Sequence, residues 1–150
     1  MNIIILGANQ IGCTLAETLT SEANDITVVD PDADKLRELK DRIDIGTIVG
    51  HASHPEVLKR AGGEDADMMI AITDNDEVNM VACRVAYSMF QTPKKICRIR
   101  SSDYLVSEEL FGKHGIAVDV SIPTTSSISF FVFSRSEAGK SILFKIGTTS

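Results

Sequence analysis

The chain lacks any apolar run long enough to cross a bilayer. Its longest strongly apolar stretch after the N-terminus, Ile128 to Phe133, falls far short of the ~20 residues that a spanning helix needs. It also lacks a basic segment leading into a hydrophobic stretch of signal length, because Ile3 to Leu6 runs at once into Gly7. Basic residues are outnumbered, 15 Lys and Arg against 21 Asp and Glu, for a formal net charge of −6 and a pI near 5.0. That balance speaks against a nucleic-acid or anionic-membrane binder. Cysteine is scarce: Cys13, Cys83 and Cys97 show neither C-x-x-C spacing nor an even count. Buried, reduced thiols of a cytosolic protein fit them better than disulfides or zinc ligands.

What is present is most informative over the first thirty residues. An apolar strand, Asn2 to Leu6, runs into Gly7-Ala8-Asn9-Gln10-Ile11-Gly12; a helical pattern follows, then a second apolar run, Ile26 to Val29, ending on Asp30. This is the layout of a dinucleotide-binding βαβ unit. The first glycine makes the tight turn, the helix N-terminus faces the pyrophosphate, the last glycine allows close helix–strand packing, and the acid accepts hydrogen bonds from a ribose. The middle glycine of the fingerprint is Asn9 here. Asn tolerates positive φ better than most residues, but it adds a side chain where the pyrophosphate is expected. Asp30 disfavours NADP, because a carboxylate repels a 2′-phosphate and no arginine directly follows it.

Apolar runs at Ile3–Leu6, Ile26–Val29, Ile45–Val49, Met68–Ile72, Ile96–Ile99 and Ile116–Val120 alternate with helical segments near 10–21, 33–42, 55–61, 76–90 and 103–113. At 150 residues the chain has room for one domain with a full core. The alternation predicts an α/β fold: a Rossmann-type, doubly wound, mainly parallel six-stranded sheet in the order 3-2-1-4-5-6. Ser53-His54-Pro55-Glu56 reads as a capping box and Asp74 with Glu77 as a second helix start. Val78, Val81, Ala82, Val85, Ala86 and Met89 form one helical stripe and are expected in the core. The acids Asp32, Asp34 and Glu38, mixed with Lys35, Arg37 and Lys40, predict a solvated helix face with i, i+3 pairs. After Ile122 the rhythm breaks. Residues 1–120 are expected to be the domain and 121–150 a poorly specified tail, in which the apolar hexamer 128–133 packs locally or pairs with another chain while the last residues stay loosely ordered.

Taken together, MNIIILGANQIG, the Asp30 strand end, VGHASHPEVLKRAG, DADMMIAITDNDEVNMVACRVAYSMF and RIRSSDYL resemble the NAD-binding N-terminal domain of the RCK, or KTN, family. They are most similar to its TrkA type, the peripheral regulatory subunit of bacterial Trk potassium-uptake systems. The resemblance runs from Met1 to about Asp119. It implies a non-catalytic sensor of NAD (NADH or NAD+), cytoplasmic and peripheral on the inner face of the inner membrane. The implied partners are a second copy of the chain, as a homo-oligomer, and the membrane potassium-translocating Trk subunit, with no direct membrane insertion and no nucleic acid. Carried over by residue, the phosphates would meet Gly7, Ala8, Asn9, Gln10 and Ile11, and Asp30 would hold the adenosine ribose. Thr73 and Asp74 would lie at the end of the fourth strand and Arg98 on the fifth. Family members usually have glycine at the place of Asn9. A full-length member continues into a smaller ligand-binding domain and a second copy of both modules, so the chain is expected to be a fragment or a truncated variant.

Rival readings stay open. An NAD-dependent oxidoreductase would need a general acid or base and a substrate pocket beyond the cofactor module. Neither Tyr87 nor Tyr104 is followed four residues later by lysine, so the short-chain dehydrogenase pair is missing. A domain responding to ATP and ADP offers Asp30 the same ribose. His51 and His54 have metal-ligand spacing, but loop structure and capping explain them more simply, with no third ligand evident. Arg100 is as readily paired with a surface carboxylate as with a phosphate, and His114 with a helix C-terminus.

Overall fold

Apolar residues in near-continuous runs need cover on both faces of a sheet, and the fold supplies it. The computed structural model describes residues 1–111, 114–116, 118, 120–123, 129–135 and 141–148. In chain order the elements are β1 (Asn2–Leu6), α1 (Gln10–Ser21), β2 (Asp25–Asp30), α2 (Ala33–Arg42), β3 (Gly46–Val49) and α3 (Pro55–Arg60). There follow β4 (Met68–Ala71), α4 (Asp76–Val85), β5 (Lys94–Ile99), α5 (Ser102–Leu105), β6 (Val120–Pro123), β7 (Ser129–Arg135) and β8 (Ser141–Thr148). The sheet order is β3-β2-β1-β4-β5-β6-β7-β8. β1 to β6 are parallel to their neighbours and stand in the expected order 3-2-1-4-5-6.

Alternation along the strands divides the core into two layers. Ile3 and Ile5 of β1 pack with Leu15 and Ala16 of α1 and with Leu36 and Leu39 of α2. Ile4 and Leu6 pack on the other face with Val57 and Leu58 of α3 and with Met80, Ala82 and Cys83 of α4. Each fully buried Ile, Leu, Val or Met among them contributes about 1.5–3 kcal/mol. On the solvent side of α2, Arg37 pairs with Asp34 at 2.6 Å, the expected i, i+3 contact.

Four expectations need correction. The sixth strand is Val120–Pro123, in register with Ile96 to Ile99, rather than Ile116–Val120. The Ile116 amide instead donates to Leu110 O and the Val118 amide to Ile116 O, so this apolar run turns and packs against the core. Among the described residues, the helix expected over 103–113 comprises α5 and a 3-10 turn, Glu108–Leu110. Val106, which would have to face a core, is 79% exposed. The α4 stripe is rotated: Asn79, Met80, Ala82, Cys83 and Ala86 are buried, while Val81 and Met89 are exposed. A π-helical turn over Ala86–Phe90 inserts an extra residue and shifts the register. Both helix starts also differ. His54 precedes α3 without a side-chain cap bond, and Asn75, not Asp74, caps α4 by accepting from the Val78 amide at 2.9 Å.

The expected tail holds two strands. β7 pairs antiparallel with β6, and β8 antiparallel with β7. Residues 141–148 are thus in strand, and the loose order expected of the last residues falls on 149–150, outside the described residues.

The tightest approach in the core joins Gly12 to the end of β1. A Cβ built on Gly12 would stand 1.9 Å from Gly7 O. Gly12→Ala should therefore force α1 off the sheet and destabilise by at least about 1–3 kcal/mol, the usual cost of overpacking. A lower urea midpoint at unchanged slope would register it.

Candidate functional site

The turn after β1 exists because Gly7 can hold φ +113, a conformation that side-chain-bearing residues rarely adopt. Its amide donates to Val29 O at 2.8 Å. A Cβ there would crowd Thr73 at 3.1 Å, so the turn also lies against the chain leaving β4. All the residues expected in the site gather at the carboxyl ends of β1, β2, β4 and β5, the edge at which open α/β sheets bind ligands.

Asp30 ends β2 and is 9% exposed. Its Oδ2 accepts from the Ala8 amide and its Oδ1 from the Asp32 amide, both at 2.8 Å. The carboxylate therefore does more than face the crevice: it ties the glycine turn to the start of α2. Each oxygen keeps capacity for a second donor such as a ribose hydroxyl.

Asn9 is the N-cap of α1, with φ −78 and ψ 179, extended backbone that any residue adopts. Its Oδ1 accepts from the Gly12 amide at 2.9 Å, and its Nδ2 donates to Ile72 O at 2.6 Å. The Ile11 side chain packs against the core and Gln10 is exposed, so these two can meet a ligand only through the first turn of the helix. The amides of Gln10 and Ile11 have no carbonyl within the helix to bond.

Across the crevice Arg98 of β5 is 7% exposed and donates to Asp74 Oδ1 at 3.3 Å. A buried guanidinium needs such a carboxylate. Arg100 donates through Nη2 to the backbone oxygen of Asp74. The same β4–α4 turn is fixed from beneath by Asn79, which is fully buried. Asn79 Oδ1 accepts from the Thr73 amide at 2.9 Å and the Thr73 hydroxyl at 2.6 Å; its Nδ2 donates to Thr73 O at 3.1 Å and Arg98 O at 3.0 Å. Asp76 does the same for the end of β5, accepting from the amides of Arg100 and Ser101.

Sequence reasoning missed Asn79 and Asp76. A signal existed: Asn79, Cys83 and Ala86 fall on one helical face, and a polar residue on a buried face must find partners. Beside this network, and sharing Asp74, Asp76 and Arg100 with it, an open hollow lies between the starts of α4 and α5, lined also by Glu77, Asp103 and Tyr104, among others. Its carboxylates make it a poor place for phosphate. Glu77 accepts the Tyr104 hydroxyl's hydrogen bond at 3.0 Å and holds that phenol above its ordinary range. The histidines stack on one another, ring centroids 4.5 Å apart, and Ser53 Oγ lies 3.0 Å from His51 Nδ1. Among the described residues no group of three His, Cys, Asp or Glu could hold a metal. Cys83 and Cys97 are buried, whereas Cys13 is half-buried. The hydrogen bond with Cys83, followed by burial, keeps the Cys97 thiol well above the usual range, and burial raises that of Cys13.

Asn79→Ala removes the partners of the Thr73 amide and of two carbonyls at once. At about 1–3 kcal/mol for each buried group left unpaired, the variant should lose roughly 3 kcal/mol or more of stability, as measured by urea unfolding.

The TrkA-N domain family matches residues 3–122. The Trk system potassium uptake protein TrkA of Halomonas elongata is 58% identical over 122 residues, covering 81% of this chain and 27% of that protein. Its counterpart from Vibrio alginolyticus is 52% identical over 133 residues, covering 88% and 29%. The chain thus spans less than a third of the length of these curated relatives. Among solved structures, the GsuK channel bound to NAD is 26% identical with a TM-score of 0.62, over 73% of this chain and 19% of that one. A structure of GsuK bound to ADP is likewise 26% identical, with a TM-score of 0.61, over 73% of this chain and 28% of that one. With the family spanning the sheet from β1 to β6 and the turn, acid and strand-end network in place, the chain belongs to the TrkA-N domain family of nucleotide-binding Rossmann-type domains.

Proposed function

We propose that this domain senses NAD(H) for a regulatory subunit of Trk-type potassium uptake and performs no chemistry on the nucleotide. The observation that carries the proposal is the pairing of a buried Asp30 carboxylate with the Gly7–Asn9 turn, joined by the 2.8 Å bond from the Ala8 amide. Such a pairing brings a ribose acceptor beside helix amides suited to a phosphate. The names of the Halomonas and Vibrio relatives support the potassium-uptake context.

The residues fit the cofactor. Asp30 would take the adenosine ribose, the first-turn amides of Gln10 and Ile11 the pyrophosphate, and Thr73, Asp74 and Arg98 the side of the crevice over β4 and β5. NAD would supply no hydride chemistry here, only binding energy. Asn79 and Asp76 hold the β4 and β5 ends in place, so a ligand seated there would bias how these loops meet a neighbouring copy. A nucleotide shifts such an assembly only by binding one arrangement better than another. A homo-oligomer docked on a membrane potassium-translocating subunit, at the inner face of the membrane, would read out that bias. No helix among the described residues is long and apolar enough to cross a membrane.

A second reading, response to ATP and ADP, draws support from the GsuK structure bound to ADP. Asp30 suits the ribose of either ligand. Calorimetric titration with NADH, NAD+, ATP and ADP separates the two, with NADH and NAD+ expected to bind more tightly. Measurable hydride turnover on simple alcohols or hydroxy acids would overturn the non-catalytic reading.

Asp30→Ala should weaken NADH binding by about 1–3 kcal/mol, the range for hydrogen bonds to a charged group. Thermal stability should fall too, since the Ala8 and Asp32 amides lose their acceptor. Unchanged affinity in a folded variant would remove Asp30 from the site.

A further inference from the structure

In a dinucleotide fingerprint the middle position has no side chain, and the amides behind it are open to phosphate. Here that position is Asn9, and its backbone has no need of glycine, because φ −78 and ψ 179 are open to any residue. Both ends of its amide group are committed to backbone on two different elements. Oδ1 accepts from the Gly12 amide at 2.9 Å, and Nδ2 donates to Ile72 O at 2.6 Å.

Gln10, Ile11 and Gly12 carry the three first-turn amides without a partner inside the helix. They are the donors a phosphate would use at a helix N-terminus. Asn9 takes the third of them with a neutral oxygen from its own side chain. A phosphate oxygen that reached the Gly12 amide would have to displace Oδ1 and give up a satisfied cap, worth about tenfold in an equilibrium constant. The neighbourhood adds to the cost, since Asp74 Oδ1 lies 3.5 Å from Asn9 Nδ2 and a carboxylate there repels a phosphate.

We propose that Asn9 determines ligand specificity at the nucleotide site by standing in for a phosphate at the first turn of α1. The consequence is weakened binding of diphosphate-bearing nucleotides, while recognition of the nucleoside part, which rests on Asp30, is left intact. This rests on the nucleotide-binding reading above and sets the ligand preference of that same site. It makes Asn9 a specificity residue and not a conservative replacement for glycine.

The test compares the 150-residue chain with its Asn9→Gly and Asn9→Asp variants, each titrated with NADH, ADP and adenosine. Asn9→Gly should bind NADH and ADP about tenfold more tightly, the order of one freed charge-assisted hydrogen bond, with adenosine affinity unchanged and a lowered Tm from the lost cap. Asn9→Asp keeps a capping oxygen for the Gly12 amide, gives up the donor to Ile72 O, and fixes a negative charge there. It should lose tenfold or more in affinity for NADH and ADP and none for adenosine. Equal NADH and ADP affinities in all three proteins would overturn the role of Asn9 and leave nucleotide binding standing, as would a parallel gain for adenosine. Should Asn9→Gly not fold, unchanged NADH affinity in Asn9→Asp overturns it alone. Absence of binding by all three proteins to all three ligands would overturn both the role of Asn9 and the nucleotide reading.

Discussion

The approach of α1 to the end of β1 is the constraint from which the rest of the molecule follows. Gly12 stands so close to Gly7 O that no Cβ fits between them, and Gly7 itself needs positive φ to turn the chain. With helix and strand locked at that distance, Leu15 and Ala16 reach the core beside Ile3 and Ile5. The same approach aims the first turn of α1 across the carboxyl edge of the sheet. Without those two glycines, neither the first core layer nor the crevice above it would have this shape.

What the crevice has beyond a bare Rossmann turn is a set of polar groups, buried at Asp30, Asn79 and Asp76 and half-buried at Asn9, that fasten the strand ends to one another. Asp30 joins β2 to the glycine turn, Asn9 joins α1 to β4, Asn79 joins β4 to β5, and Asp76 holds the chain leaving β5. A satisfied polar network in a low-dielectric site is rigid, and it is costly to break at any one member. In such a network displacement of one strand end strains the next. Asn9 and Asp30, proposed above as ligand-facing residues, are also two of these polar fasteners.

The fold was legible in the sequence where a single period dominated. The runs Ile3–Leu6, Ile26–Val29, Met68–Ile72 and Ile96–Ile99 are short, apolar and separated by helical segments, and they became β1, β2, β4 and β5. Reading failed where two apolar patterns competed. Along α4 and the π-helical turn after it, the stripe through Val81 and Met89 is more hydrophobic than the face holding Asn79, yet Asn79 is the buried residue. Its four hydrogen bonds to the strand ends outweigh the exposure of two aliphatic side chains. At Ile116–Val120 the apolar run was visible but not its use, because only the pairing partner on β5 decides which residues enter the ladder.

By itself the sequence determined the parallel sheet and its strand order, since alternating strands and helices with right-handed crossovers leave few arrangements. It also determined the glycine turn and the acid that ends β2, because both are matters of local backbone and spacing. Only the tertiary structure decided what those groups bond to. Asp30 accepts from amides at positions 8 and 32, and Asn9 reaches Ile72 across 63 residues. A hydrogen bond depends on distance and angle in space, and chain spacing sets neither once the partners lie on different strands.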